Sequence, residues 1–79
     1  MTVAHIVFSA RQLEQAQALP RRCMDTVIAS ATDTPVSYWR TLRAEGVGPD
    51  YLTTVNGRVF YKRESVLNYI HAHLWRPES

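Results

Sequence analysis

The chain has 79 residues, 46% of them hydrophobic, and 9 Lys and Arg side chains against 7 Asp and Glu side chains give a formal charge of +2. A typical domain has about 100–200 residues, so this length excludes a multidomain protein and a large enzyme barrel. One small core leaves little interior for a catalytic pocket. We therefore expect a binding module and no enzyme activity.

The positive charge is concentrated in one part of the sequence. Basic and acidic residues cancel over residues 1–39, whereas residues 40–63 hold five basic residues against two acidic ones, which leaves +3 there. A net charge of +2 does not by itself indicate a nucleic-acid ligand. The local excess points to residues 40–63 as the part of the chain that meets an anionic partner.

Cysteine content and hydropathy predict the cellular compartment. The one cysteine, Cys23, cannot form an intramolecular disulfide, which favours a reducing cytoplasm. No apolar run approaches the ~20 residues of a membrane span, and the apolar start lacks the basic region of a signal peptide. We expect a complete cytoplasmic protein without membrane contact.

Two short helices are predicted in the first part of the chain. The β-prone residues from Val3 to Phe8 predict a strand, and Ser9 is a suitable N-cap for a helix that ends near Leu19, before Pro20. Apolar residues at three- and four-residue steps predict a second helix from Arg22 to Thr32. Its apolar face is formed by Met24, Val27, Ile28 and Ala31.

The third helix has clear start and stop signals. Thr34 is a good N-cap, Pro35 suits the first helical position, and Gly46 offers a left-handed stop, so we expect a helix from Pro35 to Glu45. Its apolar face is formed by Val36, Trp39 and Leu42, and its outward face by Ser37, Tyr38, Arg40, Thr41 and Ala44. The short connection from the second helix predicts a crossing helix-turn-helix.

A β-hairpin and a final helix follow. Strands are predicted over Tyr51–Val55 and Arg58–Tyr61, joined by Asn56 and Gly57, the residue pair typical of a type I′ turn. Apolar residues at helical spacing then predict a helix from Lys62 or Arg63 to about Trp75, with Pro77 beyond its end. These elements together predict a small α+β fold, a winged helix-turn-helix with three or four helices and a two-stranded wing.

The residues from Met24 to Leu74 resemble the small excisionase and MerR-like DNA-binding domains of phages and mobile elements. The similarity rests on two segments, YWRTLRAEGVGPDY at residues 38–51 and NGRVFYKRESVLNYI at residues 56–70. They match an Arg-bearing recognition helix that ends in Glu-Gly, a Gly-Pro-x-aromatic entry to the wing, a Gly-Arg-Val-x-Tyr strand and the helix that closes the domain. The resemblance implies a DNA-binding domain over residues 23–75, an N-terminal extension over residues 1–22 that supplies a partner or dimer contact, and a tail over residues 76–79.

The resemblance implies that the helix from Pro35 to Glu45 enters the major groove of DNA. Arg can donate two hydrogen bonds to guanine, and hydroxyl groups contact bases or phosphates. The candidates for base contacts are Ser37, Tyr38, Arg40 and Thr41. The candidates for contacts to the DNA backbone are Arg43, Arg58, Lys62 and Arg63.

The resemblance also implies partners. Such proteins act on attachment-site DNA and direct a site-specific integrase towards excision, and many regulate transcription as well. A domain of this size makes few phosphate contacts, so we expect a homodimer or a cooperative oligomer on double-stranded DNA at the nucleoid. No cofactor is expected.

Other interpretations remain open. Arg40 and Arg43 also fit an ordinary solvated helix face. The runner-up function is a protein-interaction module, a phage or host inhibitor that binds through the apolar Val3–Phe8 edge and the face of Leu13 and Leu19. A transcriptional repressor would make the same DNA contacts at a different site.

Aromatic, histidine and cysteine residues receive structural interpretations. Trp39, Phe60 and Tyr69 are predicted to be core residues, and Tyr38 the most exposed aromatic residue. His71 and His73 lie two apart on a helix and point to opposite sides, so no metal site is predicted, and His5 is too isolated to contribute. Cys23 and Asp25 fit no nucleophile motif.

Overall fold

The computed structural model describes residues 6–75, which form four helices and a three-stranded antiparallel sheet. The predicted small α+β class is confirmed, and the sheet has one strand more than the predicted two-stranded wing. The elements in chain order are α1 (Ala10–Gln17), β1 (Arg22–Cys23), α2 (Asp25–Thr32), α3 (Val36–Glu45), β2 (Tyr51–Thr53), β3 (Val59–Lys62) and α4 (Arg63–Ala72).

Helix α1 begins as the sequence predicts. The Ser9 side chain accepts a hydrogen bond from the Gln12 backbone N–H at 3.2 Å, and the Gln12 side chain accepts one from the Ser9 N–H at 2.9 Å. This reciprocal capping box satisfies two N–H groups that the first helical turn leaves unpaired. The helix ends at Gln17, two residues early, and Leu19 is buried in the connection that follows.

The predicted strand before α1 is wrong for the residues described. Residues 3–5 lie outside the described part of the chain, and Ile6 and Val7 belong to no strand. Phe8 forms a single parallel bridge with Leu74: its N–H donates to the His73 carbonyl at 2.9 Å, and its own carbonyl accepts from the Trp75 N–H at 2.7 Å.

The predicted helix from Arg22 instead begins at Asp25. Arg22 and Cys23 form β1, which pairs with β3 so that Arg22 faces Lys62 and Cys23 faces Tyr61. The predicted apolar face of this helix is also wrong, because of its residues only Ile28 is fully buried. The buried residues of α2 are Asp25, Ile28, Ala29 and Thr32.

The connection between α2 and α3 uses Thr34 differently from the prediction. Pro35, rather than Thr34, is the N-cap of α3. The Thr34 hydroxyl accepts a hydrogen bond from the Trp39 indole N–H at 2.9 Å and pairs with the Thr32 hydroxyl at 2.8 Å, so it orients a core side chain. At the other end, Gly46 adopts φ +71° and stops the helix as predicted.

Strands β2 and β3 form the predicted hairpin, with Thr53 opposite Val59. The turn is not type I′, because Asn56 does not adopt a positive φ. The Gly57 N–H donates to the Thr54 carbonyl and the Thr54 N–H to the Arg58 carbonyl, while Gly57 adopts φ +79°. This is the pattern of a three-residue loop whose last residue is left-handed.

The last helix is shorter than predicted. Helix α4 ends at Ala72, three residues before Trp75, because the chain turns there to pair with Phe8. Pro77 and the predicted tail over residues 76–79 lie outside the described residues.

An aromatic cluster forms the centre of the core. Phe8, Tyr38, Trp39 and Tyr69 have ring centroids 5.3–6.4 Å apart in mostly edge-to-face pairs. The predicted core positions of Trp39 and Tyr69 are confirmed. The predicted exposure of Tyr38 is wrong: its ring is buried, and its hydroxyl lies 2.7 Å from that of Tyr69. Phe60, also predicted as core, is only partly buried.

Candidate functional site

Helix α3 exposes one polar face. Ser37, Arg40, Thr41 and Ala44 follow the i, i+3, i+4, i+7 pattern, and all four are exposed. We call these four residues the α3 stripe. It contains three of the four predicted base-contact residues, and the fourth, Tyr38, lies in the core. The hydroxyl of Tyr38 is engaged by Tyr69 and by the Ile6 N–H at 3.2 Å, so it is directed into the molecule.

The arginine of the α3 stripe is held by a carboxylate on the neighbouring helix. Arg40 Nε donates to Asp25 Oδ2 at 3.0 Å, and Arg43 Nη1 lies 3.4 Å from the same oxygen. The side chain of Asp25 is only 10% exposed, whereas that of Arg40 is 56% exposed. Asp25 therefore fixes the Nε end of Arg40, while the rest of the guanidinium faces solvent.

Arg43 has internal partners on both sides. Besides Asp25, its Nη1 donates to the Tyr61 hydroxyl at 2.9 Å, and its guanidinium carbon lies 5.9 Å from the centroid of the Tyr51 ring. Its side chain is 23% exposed. Arg43, predicted as a phosphate contact, thus links α2, α3 and the sheet.

The protonation states of this network follow from its geometry. Burial alone would raise the pKa of Asp25, but the hydrogen bonds from Arg40 and Arg43 and the charge of Arg40 outweigh it and hold the pKa below its usual value. Burial raises the pKa of Tyr61, opposed by Arg43. At neutral pH Asp25 is therefore ionised and the Tyr61 phenol is neutral.

Of the predicted basic residues of the hairpin, Lys62 lies on the face of the sheet opposite Tyr61. Side chains alternate along a strand, so Phe60 and Lys62 of β3 point away from the face that holds Tyr61. Arg58 and Lys62 are exposed. Because Arg43 contacts Tyr61, the structure places Arg43 and Lys62 on opposite faces of the sheet.

Two basic residues that the sequence interpretation missed lie beside this face. Together with the predicted residues Lys62 and Arg63, they line a surface cleft of about 550 Å³, which we call the basic cleft. Its lining residues are Arg21, Arg22, Lys62, Arg63, Glu64 and Leu67. The two residues are adjacent arginines, which the sequence itself shows. Their charge was overlooked because acidic residues cancel it when the net charge of residues 1–39 is counted.

The other candidate chemical groups have structural partners. Burial raises the pKa of the Cys23 thiol, so it stays protonated and is a poor nucleophile. His73 Nδ1 lies 2.9 Å from the Tyr69 carbonyl oxygen, and its ring stacks on that of Tyr69. Within residues 6–75 no three His, Cys, Asp or Glu residues are grouped so that they could hold a metal ion.

Comparison with known proteins adds no further evidence on function. The chain matches no protein-family model, no curated protein and no solved structure. None of the helices formed by residues 6–75 has the length and apolar character needed to cross a bilayer.

Proposed function

We propose that the protein binds double-stranded DNA in a sequence-specific manner and reads base edges with the α3 stripe. The observation that carries the proposal is the half-exposed Arg40 at the centre of this stripe, held through its Nε by the ionised Asp25. Within residues 6–75 the two terminal nitrogens of Arg40 make no hydrogen bond, so they remain available as a pair of donors for guanine. Ser37 and Thr41 lie on either side of Arg40 with hydroxyl groups for neighbouring bases or phosphates.

The order of the elements supports a winged helix-turn-helix arrangement. β1, α2, α3, β2, β3 and α4 follow one another as a strand, two packed helices, a hairpin and a closing helix. In such a domain the second of the two packed helices enters the major groove, and here that helix is α3. The exposed Arg58, next to the turn of the hairpin, would then contact the adjacent DNA backbone.

The resemblance to excisionases extends the proposal to a biological role. We infer that the protein acts at attachment-site DNA together with a site-specific integrase, or regulates a promoter through the same contacts. One copy has few residues for phosphate contacts, so tight binding requires a homodimer or cooperative binding of several copies to repeated sites. Non-cooperative nanomolar binding of one copy would contradict this part of the proposal.

A titration of labelled duplexes tests DNA binding. Fluorescence anisotropy would be recorded with duplexes from the DNA that flanks the gene, at several salt concentrations, for the native chain, Arg40→Gln and Arg11→Gln. The affinity of the native chain should fall linearly with log salt concentration. Arg40→Gln should lose about 1–3 kcal/mol of discrimination between preferred and scrambled duplexes, the value of one bidentate arginine contact.

Arg11→Gln is the matched control, because Arg11 is exposed on α1 and its loss changes the net charge equally. It should keep the preference for the selected duplex. Absence of binding at low salt by the folded chain would refute the proposal, as would an equal loss of preference in both variants.

A protein-interaction module is the second candidate, favoured by two exposed apolar side chains. Val7 is 62% exposed and Trp75 is 64% exposed, and both lie next to the bridge between Phe8 and Leu74. Of the residues proposed for this role, Phe8 and Leu19 are buried and Ile6 and Leu13 are partly buried, which leaves Val7 as the exposed one within residues 6–75. This alternative predicts no DNA affinity in the titration above.

A further inference from the structure

The basic cleft is formed by parts of the chain that are distant in sequence. Arg21 precedes β1 and Arg22 is the first residue of β1, whereas Lys62 and Arg63 lie at the junction of β3 and α4. The register places Arg22 directly opposite Lys62. Arg63 ties the two sides together, because its backbone N–H donates to the Arg21 carbonyl at 2.9 Å and its Nη1 to the Leu19 carbonyl at 3.0 Å.

In the described part of the chain, none of the four basic side chains of the basic cleft makes an ion pair. Among residues 6–75 the ion pairs are those of Asp25 with Arg40 and Arg43. Glu64 also lines the cleft, so four basic residues face one acidic residue and a local excess of positive charge remains. The Glu64 carboxylate makes no ion pair within residues 6–75. Like charges directly opposite each other on neighbouring strands destabilise a sheet. An anion bound in the cleft would remove that repulsion.

We propose that the basic cleft binds phosphate groups, and that a nucleic-acid backbone supplies them. Guanidinium groups bind phosphate oxygens through paired hydrogen bonds, and three of the four basic residues are arginines. The cleft volume of about 550 Å³ exceeds that of one phosphate group. Five of the six residues that line the cleft are charged, and four of those five are basic, so the cleft suits an anionic ligand.

The position of the cleft gives it a role different from that of the α3 stripe. Lys62 and Arg22 point away from the sheet face on which Tyr61 meets Arg43 of α3. The cleft therefore holds backbone apart from the bases that the α3 stripe reads, and it contributes affinity and salt dependence without sequence preference. The phosphate site stands on the cleft itself, and its assignment to nucleic acid rests on the proposed function.

The first test measures how the cleft residues affect duplex binding. Arg22→Gln and Lys62→Gln would be compared with the control Arg11→Gln on preferred and scrambled duplexes, with folding checked by circular dichroism. Each cleft variant should lose about 3- to 10-fold in affinity for both duplexes and lower the slope of log affinity against log salt by about 1. A similar loss in Arg11→Gln would overturn the proposal, because net charge alone would then explain the effect.

The second test separates the two sources of phosphate. Inorganic pyrophosphate would be titrated into the full chain while backbone amide NMR shifts are followed, and duplex DNA would then be added as a competitor. Shifts concentrated at Arg21, Arg22, Lys62 and Arg63 that the duplex reverses would support the proposal. Pyrophosphate that the duplex does not displace would overturn the assignment to nucleic acid, and absence of cleft shifts with either ligand would overturn the site.

The two proposals fail in different ways. If Arg40→Gln abolishes sequence preference while Arg22→Gln and Lys62→Gln leave affinity unchanged, the proposed function stands and the cleft proposal is refuted. If the chain binds no duplex, the proposed function and the nucleic-acid source fail together. In that case cleft shifts with pyrophosphate would still support a phosphate site.

Discussion

Asp25 shows how one residue can determine the properties of a surface. Asp25 belongs to no recognisable sequence motif. It lies two residues after Cys23, and the two residues together fit no catalytic motif. In the fold it lies at the first turn of α2, where a negative charge is favoured. There, one carboxylate oxygen of Asp25 forms ion pairs with both Arg40 and Arg43. This contact depends on how α2 packs against α3, so residue types alone could not predict it.

Replacing Asp25 by Asn should destabilise the protein at neutral pH. The two arginines would lose their charged acceptor. Because these hydrogen bonds to a charged group are partly open to water, the free energy of unfolding should fall by about 1–2 kcal/mol. Because folding lowers the pKa of Asp25, its contribution is present above the usual carboxyl pKa and is lost as the pH falls through the folded-state value. Urea unfolding of both proteins at pH 7 and at pH 2–3 should therefore show a difference that shrinks in acid.

Asp33→Asn is the matched control for that change. Asp33 is exposed, makes no ion pair within the described residues, and adopts φ +53°, a left-handed conformation that Asn also tolerates. The free energy of unfolding of Asp33→Asn should stay within about 0.5 kcal/mol of the native value. A pH-independent loss in Asp25→Asn would show that packing, rather than charge, explains the effect.

At the scale of elements, the sequence predicts best what local chemistry determines. Gly46 and the capping box at Ser9 act within one helical turn, so the end of α3 and the start of α1 were predicted correctly. Strand β1 has two residues, too few to show an alternating pattern, and its partner Lys62 lies 40 positions away from Arg22. The basic cleft was missed for the same reason, because it exists only once β1 pairs with β3.

The three-residue loop of the hairpin makes different demands on Asn56 and Gly57. Gly57 adopts φ +79°, and a Cβ at this position would meet no other atom. Alanine would still have to adopt the left-handed conformation, which costs about 1–2 kcal/mol of folding free energy. Asn56 has no positive φ, so Asn56→Ala should change stability little. Thermal unfolding should show a midpoint about 4–8 °C lower for each kcal/mol lost in Gly57→Ala. If Asn56→Ala lost more stability than Gly57→Ala, a type I′ turn would be indicated instead.

At the scale of the whole molecule, residues before β1 are part of the core that supports the proposed site. Phe8, Ala16 and Leu19 are buried with Trp39 and Ile70 in one cluster. The resemblance covers only residues 24–74, so it could not indicate that a preceding segment completes the aromatic cluster. A domain of this size has little other interior to compensate for the loss of a large side chain.

Phe8→Ala should therefore prevent stable folding. Phe8 is fully buried among Tyr38, Trp39 and Tyr69, and truncation of a buried phenylalanine costs about 3–5 kcal/mol, most of the stability of a small domain. Val7→Ala is the matched control, because Val7 is 62% exposed in the neighbouring position. Circular dichroism should show a cooperative thermal transition for Val7→Ala. Phe8→Ala should show either no cooperative transition or one with a far lower midpoint temperature. If Phe8→Ala instead melted within a few degrees of the native chain, residues 24–74 would have to form a core of their own, and α3 would hold its exposed stripe in place without the N-terminal segment.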